Sequence, residues 1–384
     1  MAPTIGRKVD QEYFAHQKRQ YPTKRLWMRV FRSNFNAMDE RRGNFGIHLE
    51  PEPKEVPLDS IQTIGIFTSG GDAPGMNACI RAVARKAFTS GKKVIGIRRG
   101  YQGMIEGDFV AMTNESVSNI IQKGGTVLKS ARSKDFRTPE GRARAAANLE
   151  KQGIDGLVAI GGDGTLAGAA LFYDEHRIPL IGCPGTIDND LYGTDETIGY
   201  DTALNTAIEN IDKIRDTADA HDRLFLVEVM GRDAGFIALN SGIGGGAEMV
   251  LIPETLTDIN KIKTHIHSLM SDKHRSSIVV VAEGEELGGA SVIADALRAD
   301  EAFVNIDLRV CILGHTQRGG SPSARDRVLA SRLGVAAVEA LLDGHANVTV
   351  GVIDNQIRLT PSRNVYTRKK SINFELLGLT TLLN

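Results

Sequence analysis

The sequence predicts an α/β fold built from doubly wound, mostly parallel sheets. Short apolar runs alternate with amphipathic helical patterns from residue 63 onward, and clusters of glycine follow several of the runs. Runs this short, separated by helices, are typical of parallel strands that are covered on both faces. Because ligands bind beyond the carboxyl ends of such strands, the glycine clusters mark the expected binding edge.

Eight apolar runs are predicted strands. Between them, apolar residues recur at helical spacing, as in Asn77 to Phe88 and Ala203 to Ala218. The predicted strands are Thr63 to Ser69, Lys93 to Arg98, Gly156 to Ile160, Pro179 to Cys183, Leu224 to Met230, Met249 to Ile252, Ser277 to Ala282 and Leu308 to Leu313.

The composition excludes several classes of partner. The chain has 46 basic and 47 acidic residues, a formal net charge of -1, so no overall field attracts nucleic acid or an anionic membrane. No apolar run approaches the roughly 18 residues that a membrane-spanning helix needs. Cys79, Cys183 and Cys311 lie in apolar runs without paired or metal-type spacing, which predicts buried thiols and a reducing, cytoplasmic location.

Residues 1–59 differ from the rest and are predicted to be a basic extension followed by a linker. Residues 1–45 contain 10 lysines and arginines against four acidic residues, together with the only tryptophan, Trp27. A stretch rich in proline and acidic residues, Glu50 to Pro57, follows. The extension is either a solvated or subunit-covering arm, or an oligomerisation or regulatory segment around Trp27.

The first predicted strand ends in TSGGDAPGMN, residues 68–77, and a helical pattern begins at once. Glycines let the backbone approach a phosphate closely, and a helix N-terminus adds free N–H groups and a positive dipole end. A lone pair of glycines would indicate only a strand-to-helix turn. Ten residues of this type favour an anion-binding loop, although they match neither a Walker A loop nor a good dinucleotide-binding fingerprint.

Two neighbouring strands end in clusters that contain carboxylates. GGDGT at residues 161–165 places Asp163 where a phosphate and its Mg²⁺ could both be reached, a pattern that also occurs in NAD kinases and diacylglycerol kinases. PGTIDND at residues 184–190 places Asp188 and Asp190 after the hydroxyl of Thr186. Alone, this turn is typical of a solvated loop. Beside GGDGT, it predicts a base that takes a proton from an attacking hydroxyl, while its neighbour holds a metal or orients the base.

Three further clusters carry arginines beside glycines at strand ends. Arginine binds phosphate through two parallel hydrogen bonds and keeps its charge in a dry cleft. Any one of these arginines is typical of a surface salt bridge, but three at strand ends favour phosphate binding. The clusters are Ser130-Ala131-Arg132 with Arg137, Met230-Gly231-Arg232, and Gly314 to Gly320 with His315 and Arg318.

In this order and at these spacings, the motifs TSGGDAPGMN, SAR, IGGDGT, PGTIDND, VEVMGR and LGHTQRGG resemble those of the phosphofructokinase family, bacterial type. The resemblance covers nearly all of residues 60–384. It implies two doubly wound domains with the active site in the cleft between them. The implied boundaries are 60–199 with about 317–345 for an ATP-binding domain, 200–316 for a fructose 6-phosphate-binding domain, and about 346–384 for a C-terminal strand and tail.

The resemblance implies transfer of the γ-phosphoryl group of MgATP to the 1-hydroxyl of fructose 6-phosphate. The products would be fructose 1,6-bisphosphate and ADP, in the committed step of glycolysis. Mg²⁺ would be the cofactor, with Asp163 near the metal, and ATP the co-substrate. The implied residues of the ATP site are Gly70, Arg132, Arg137, Asp163, Gly164, Thr165 and Gly168.

Roles in catalysis and sugar binding follow from the same resemblance. Asp188 would be the general base, supported by Asp190, while Thr186, Arg232 and Arg132 complete the catalytic group. Arg223 and Arg309 match arginines that reach the sugar phosphate from a neighbouring subunit, which implies a homotetramer. The other implied sugar-phosphate ligands are Thr186, Asp188, Met230, Gly231, Arg232, Glu283, His315 and Arg318.

Two glycines favour ATP as the phosphoryl donor. In pyrophosphate-dependent relatives an Asp often stands at the position of Gly164, where it would crowd and repel the α-phosphate of ATP. In the same relatives, a Lys often stands at the position of Gly185. The resemblance therefore implies an ATP-dependent enzyme.

Some positions depart from the bacterial pattern of the family. Asn114 and Glu115 stand where an Arg-Tyr pair is typical, and the negative charge of Glu115 disfavours the usual anionic effectors, ADP and phosphoenolpyruvate. Lys129 precedes the SAR motif where a glycine is common. The residues that match the effector site of the family are Arg81, Arg85, Arg215 and Glu248.

Three other functions are alternatives. A pyrophosphate-dependent phosphofructokinase is opposed by the two glycines. A kinase acting on NAD or a lipid through the GGDG loop would not need the HTQRGG or MGR motifs. A catalytically inactive regulatory subunit that binds sugar phosphates is opposed by the presence of Asp163, Thr186, Asp188 and Arg232.

Overall fold

The computed structural model describes residues 60–271 and 276–382, apart from the side chains of Ser271 and Thr381. The described residues belong to the unit Glu52–Asn384. The predicted basic extension, residues 1–59, lies outside them, and Trp27 with it.

The predicted strands are confirmed, each to within one residue at either end, and β3, β10 and β11 lie outside the eight apolar runs. The strands of the described residues are β1 Thr63–Thr68, β2 Lys93–Ile97, β3 Phe109–Ala111, β4 Gly156–Gly161, β5 Leu180–Pro184, β6 Leu224–Val229, β7 Met249–Leu251, β8 Ser277–Ala282, β9 Leu308–Ile312, β10 Val348–Ile353 and β11 Gln356–Pro361.

Helices connect most of these strands, and the two predicted helical segments lie within α1 and α5. The helices are α1 Met76–Thr89, α2 Gly100–Glu106, α3 Pro139–Lys151, α4 Asp163–His176, α5 Tyr200–Asp219, α6 Phe236–Gly244, α7 Ile259–Ser271, α8 Gly289–Arg298, α9 Ala324–Leu342, α10 Ser362–Thr367 and α11 Phe374–Leu382. Short 3₁₀ turns occur at Asp135–Arg137, Glu301–Phe303 and Gly314–Arg318.

The first sheet has the strand order β11-β10-β5-β4-β1-β2-β3. Its five central strands are parallel, and β11 and β3 pair antiparallel at the two edges. The chain order reverses beside β1, where Ile66 lies opposite Gly96 of β2 and Val158 of β4. This reversal opens a crevice at the carboxyl ends of β1 and β4, the usual ligand site of such sheets.

Both faces of the first sheet are buried. Along β4, Val158 and Ile160 pack in one core cluster, and Leu157 and Ala159 pack in a second cluster with Phe67. Successive side chains of a strand point to opposite faces, so two clusters on alternate residues mean two covered faces. The predicted doubly wound arrangement is confirmed here.

The second sheet has the order β7-β8-β6-β9, and all of its strands are parallel. In its centre, Val227 lies opposite Val280 and Cys311. The strands of this sheet all come from residues 224–312, between the two parts of the chain that form the first sheet. The predicted α/β class is therefore confirmed, and the domain boundaries stay predictions.

The cysteines follow their prediction with one exception. Cys79 in α1 and Cys183 in β5 are free and buried. Cys311 is also free but is half-buried, because its strand β9 is an edge of the second sheet. Among the described residues, no helix combines the length and apolar character that a membrane span requires.

A buried carboxylate joins the start of α9 to the start of α5. Asp326 is 1% exposed and accepts hydrogen bonds from the backbone N–H of Gly199 and Thr202, both at 2.8 Å, and from the Thr202 hydroxyl at 2.5 Å. A carboxylate at a helix N-terminus satisfies free N–H groups and complements the helix dipole. Asp326 therefore fixes α5 against α9, directly after the chain leaves the PGTIDND segment.

We expect Asp326→Ala to lower the free energy of unfolding by about 2 to 4 kcal/mol, because two buried N–H groups and a hydroxyl lose their acceptor. Asp343→Ala, at the exposed C-terminal end of the same helix, is the control and should change it by less than about 0.5 kcal/mol. Urea denaturation followed by circular dichroism measures both. Equal effects of the two substitutions would contradict this account of Asp326.

Candidate active site

A cleft of about 850 Å³ opens at the carboxyl ends of the strands of both sheets. It receives the loops that follow β1, β4 and β5 of the first sheet and β6, β8 and β9 of the second. The predicted site residues that line it are Gly70, Arg132, Arg137, Asp163, Gly164, Thr165, Gly168, Thr186, Asp188, Met230, Arg232, Glu283, His315 and Arg318.

The loop after β1 presents its backbone to the cleft. Gly70 has a left-handed conformation, with a φ of 84°, and its carbonyl accepts a hydrogen bond from the Ser130 hydroxyl at 2.5 Å. A Cβ on Gly71 would lie 2.7 Å from a guanidinium nitrogen of Arg318. These glycines let the chain turn and let a cation approach the backbone closely.

The two glycines on either side of Gly162-Asp163 have different surroundings. A Cβ on Gly161 would lie 2.6 Å from the backbone oxygen of Ser69, whereas a Cβ on Gly164 would meet no atom of the described residues within 4 Å. Gly161 is therefore required by packing between the loops that follow β1 and β4. Gly164 is not, and its open side faces the cleft.

The Thr165 hydroxyl ties these loops together by donating to the Ser69 carbonyl at 3.0 Å. The Thr165 carbonyl in turn accepts a hydrogen bond from the Tyr101 hydroxyl at 2.6 Å. The N-terminus of α4, which begins at Asp163, thus lies beside the anion-binding loop predicted from residues 68–77.

Asp188 lies deep in the cleft, with 2% of its surface exposed. Its backbone N–H donates to the Thr186 hydroxyl at 3.2 Å, while its Oδ1 accepts no hydrogen bond from the described residues and lies 3.9 Å from Arg318 Nη2. Burial raises the pKa of Asp188, and the Arg318 guanidinium is the foremost of the groups that oppose this rise. This oxygen thus has an ion-pair partner but no hydrogen-bond donor among the described residues.

Asp190 does not line the cleft but interacts electrostatically with its carboxylates. Burial, together with the charges of Asp188 and Asp163, raises the pKa of Asp190 to about 6. Negative charges held close together disfavour ionisation of each carboxyl group. Asp188 and Asp190 are therefore less easily ionised together than either would be alone.

Arg232 enters the cleft from the end of β6. Its Nη1 lies 2.9 Å from Asp163 Oδ1, and both side chains are about half exposed. Arg232 itself has a left-handed φ of 53°, and its backbone N–H donates to Glu283 Oε1 at 2.7 Å. Glu283, after β8, therefore holds a turn that aims an arginine of the second sheet at a carboxylate of the first.

Three predicted sugar-phosphate ligands do not line the cleft, namely Arg223, Arg309 and Gly231. Arg223 and Arg309 share the carboxylate of Asp307, each at 2.7 Å. Both side chains remain accessible, since Arg309 is exposed and Arg223 is half-buried. Their predicted contribution to a neighbouring subunit stays a prediction. Gly231 and Asp190 adjoin the cleft without lining it.

The residues that match the effector site do not line the cleft. Arg85 Nη2 lies 3.4 Å from the Asn114 carbonyl, and Arg215 Nη1 lies 2.9 Å from Glu248 Oε1. A hydrogen bond from the Thr113 hydroxyl lowers the pKa of Glu115, with a smaller contribution from the charge of Arg85. The departures at Asn114 and Glu115 thus stand beside one of the matching arginines.

Sequence reasoning missed an aromatic wall of the cleft. Tyr101 stacks on Phe136, with ring centres 3.8 Å apart, and both line the cleft together with Leu171 and Arg142. No local motif marks these residues. Tyr101 follows β2, the strand beside β1, so its place at the carboxyl edge of the sheet was the available signal.

A family comparison agrees with this geometry. The model of the family described as phosphofructokinase matches residues 63–341. The chain belongs to the phosphofructokinase family. It is 58% identical over 324 residues to an ATP-dependent 6-phosphofructokinase of Cytophaga hutchinsonii, covering 84% of this chain and 98% of that protein. It is 55% identical over 323 residues to ATP-dependent 6-phosphofructokinase 1 of Thermus thermophilus, covering 84% and 99%.

Solved phosphofructokinase structures share the fold. A phosphofructokinase of Saccharomyces cerevisiae superimposes with a TM-score of 0.74 at 37% identity, covering 83% of this chain and 46% of the yeast chain. The chain therefore spans less than half the length of that relative. A pyrophosphate-dependent phosphofructokinase of Marinobacter aquaeolei gives a TM-score of 0.72 at 24% identity, covering 82% and 86%, which supports the fold alone.

The cleft of this phosphofructokinase-family chain fits a magnesium ion that arrives with phosphates. Within residues 60–271 and 276–382, no cluster of three or more His, Cys, Asp or Glu side chains could hold a metal ion. Mg²⁺ is commonly bound by one or two carboxylates together with substrate phosphates and water. Asp163 offers a half-exposed carboxylate of this kind.

We expect Gly161→Ala to lower the free energy of unfolding by about 1 to 3 kcal/mol, because the added methyl group overlaps backbone atoms of the β1 loop. Gly164→Ala is the matched control in the same motif. It should leave stability unchanged or slightly raised, because its methyl group meets open space and alanine favours the helix. Thermal unfolding of both variants measures the difference, and a destabilised Gly164→Ala would refute the distinction.

Proposed function

We propose that the chain is an ATP-dependent 6-phosphofructokinase that transfers the γ-phosphoryl group of MgATP to the 1-hydroxyl of fructose 6-phosphate. The products are fructose 1,6-bisphosphate and ADP. The observation that carries this proposal is the buried Asp188 carboxylate, whose Oδ1 accepts no hydrogen bond from the described residues, in a cleft that also contains Arg232, Arg318 and the GGDG loop. Curated relatives named for this activity, at 55 to 58% identity, support it.

Asp188 acts as the general base in this proposal. Its Oδ1 accepts the proton of the sugar 1-hydroxyl as the hydroxyl oxygen attacks the γ-phosphorus of ATP and ADP leaves. Asp190 supports the base through its charge, and the Thr186 hydroxyl keeps the Asp188 backbone in place. Arg232, released from Asp163, stabilises the negative charge on the transferring phosphoryl group, together with Thr186 and Arg132.

The loops of the first sheet bind the nucleotide. The backbone at Gly70 and the N-terminus of α4 provide N–H groups for phosphate oxygens, and Arg132 and Arg137 add positive charge. Gly164, Thr165 and Gly168 complete this side of the cleft. When bound at Asp163, Mg²⁺ neutralises charge on the phosphates of ATP.

The loops of the second sheet bind the sugar phosphate. Met230, Glu283 and His315 contact the sugar with Gly231, and Arg318 binds its phosphate. We infer that Arg223 and Arg309 complete the 6-phosphate site of a neighbouring subunit in a homotetramer, which leaves them outside the cleft of their own chain. A cytoplasmic location and a role in glycolysis belong to the same proposal.

Pyrophosphate is the alternative donor, and the presence of Gly164 and Gly185 opposes it. A Cβ on Gly164 would meet no described atom within 4 Å, so packing does not require a glycine there, and no carboxylate stands at this position to repel the α-phosphate of ATP. At Gly185 a Cβ would already lie 2.9 Å from Ile160, and a longer side chain would need a rearranged core. An inactive sugar-phosphate-binding subunit is opposed by the intact arrangement of Asp188, Arg232 and Arg318.

A donor exchange tests the proposal. We expect turnover of fructose 6-phosphate with MgATP and little with pyrophosphate. Asp188→Ser should lower kcat by about 10²-fold or more, because the base is lost. A coupled assay for fructose 1,6-bisphosphate measures each rate, with Asp343→Ala as the control. Turnover with pyrophosphate alone would favour the alternative donor, and no turnover with either would favour the inactive subunit.

The pKa shifts predict an acid limb in the pH profile. The turn must carry negative charge to accept a proton. Burial raises the pKa of Asp188, and burial together with the charges of Asp188 and Asp163 raises that of Asp190 to about 6. Activity should therefore fall as the pH falls through about 6. The logarithm of kcat/KM measured between pH 5 and pH 8 at constant ionic strength tests this. A flat profile over that range would contradict it.

A further inference from the structure

A lysine from the C-terminal segment reaches the back of the Asp188 turn. Lys370 is half-buried, and its Nζ donates to Asn189 Oδ1 at 2.9 Å and to the Asp195 carbonyl at 2.6 Å. The main chain is paired there as well, since Lys369 forms an antiparallel bridge with Leu191, the residue after Asp190. The proposed reaction gives none of these C-terminal residues a role.

Asn189, which Lys370 contacts, lies between the two carboxylates of the turn. It is 4% exposed and has a left-handed φ of 56°, a conformation that a non-glycine residue keeps only when its surroundings impose it. Its Oδ1 also accepts from the Thr197 N–H at 3.0 Å, and its Nδ2 donates to the Asp195 carbonyl at 3.3 Å. Lys370 therefore donates to Asn189 itself and to the Asp195 carbonyl, which also accepts a hydrogen bond from Asn189.

The charge of Lys370 lies among carboxylates. The acidic groups that face it are Asp190 in the turn and Asp195 and Glu196 in the segment that follows. Burial lowers the pKa of Lys370 to about 8, against the opposing effect of Asp195, Glu196 and Asp190. At neutral pH the ammonium group is thus charged and interacts with Asp190, whose pKa responds more strongly to burial and to the charges of Asp188 and Asp163.

The same side chain touches the part of the chain that carries the second sheet. Lys370 Nζ lies 5.0 Å from the ring centre of Phe236, the first residue of α6. Beyond it, Ile372 is buried in the core, and α11 packs against α6 and β7. The C-terminal segment 369–382 therefore contacts both the turn after β5 and the helix after β6.

We propose that Lys370 is a positioning residue for the turn formed by Asp188, Asn189 and Asp190. Its ammonium group fixes Asn189 through the hydrogen bonds to Asn189 Oδ1 and to the Asp195 carbonyl, and it stabilises the negative charge of Asp190. The C-terminal segment holds the lysine in place. The inference rests on the proposed function, because it concerns the efficiency of the proposed base. It assigns Lys370 no contact with either substrate.

Lys370→Met tests this, with Lys369→Met as the matched control, because Lys369 is an exposed lysine next to it. We expect Lys370→Met to lower kcat by about tenfold or more, with little change in the KM values, because a charged hydrogen-bond donor is lost. The acid limb of its pH profile should also move to higher pH, since a positive charge near Asp190 is removed. Lys369→Met should match the wild-type chain in both measurements.

A purely structural role predicts a different result. If Lys370→Met lowers the midpoint of thermal unfolding but leaves kcat and the acid limb as in Lys369→Met, the positioning role is refuted. Lys370→Gln, which keeps a polar group but no charge, replaces the Met variant if the latter does not fold, and should show the same shift of the acid limb. Absence of turnover in the wild-type chain and Lys369→Met would refute the proposed function itself.

Discussion

The close approach of the loops after β1 and β4 sets the geometry of the cleft. Only a glycine at position 161 lets the chain pass the carbonyl of Ser69, and the Thr165 hydroxyl then bonds to that carbonyl. This contact brings the glycine-rich loop at residues 68–77 and the N-terminus of α4 side by side. Two segments that can bind anions thus line one volume, although they are far apart in the sequence.

Both sheets supply charged side chains to this volume, and the carboxylates of the first sheet meet arginines of the second. The loops after β4 and β5 of the first sheet supply Asp163 and Asp188, and the loops after β6 and β9 of the second supply Arg232 and Arg318. Burial raises the pKa of a carboxylate, and a nearby guanidinium group lowers it. The electrostatic state of the proposed base therefore depends on how the two sheets face each other, which neither sheet determines alone.

Much of this arrangement could be predicted from the sequence, because it rests on local patterns. Apolar runs of four to seven residues mark eight of the strands, and glycine clusters mark several of their carboxyl ends. The motif at 184–190 was placed beside GGDGT because consecutive strands of this kind are neighbours, and β4 and β5 are indeed paired. The structure also explains why a glycine is common at the position of Lys129, since the φ of 59° there is one that glycine adopts more readily.

Contacts between distant segments could not be predicted in this way. Tyr101 and Phe136 lie in no motif, and their stacking depends on how α2 and the Asp135–Arg137 turn pack. Lys370 stands among three basic residues, Arg368 to Lys370, and no periodicity shows which one points inward. Such residues acquire their place only when the C-terminal segment folds back onto the sheet.

The return of the chain to its first sheet has a consequence for synthesis. Strand β10 pairs with β5, yet residues 224–312, which form the second sheet, are made between them. Until β10 leaves the ribosome, β5 is an unpaired edge with free backbone groups, and such edges invite association with other chains. The nascent protein is therefore most exposed to misassembly while its second sheet is already complete.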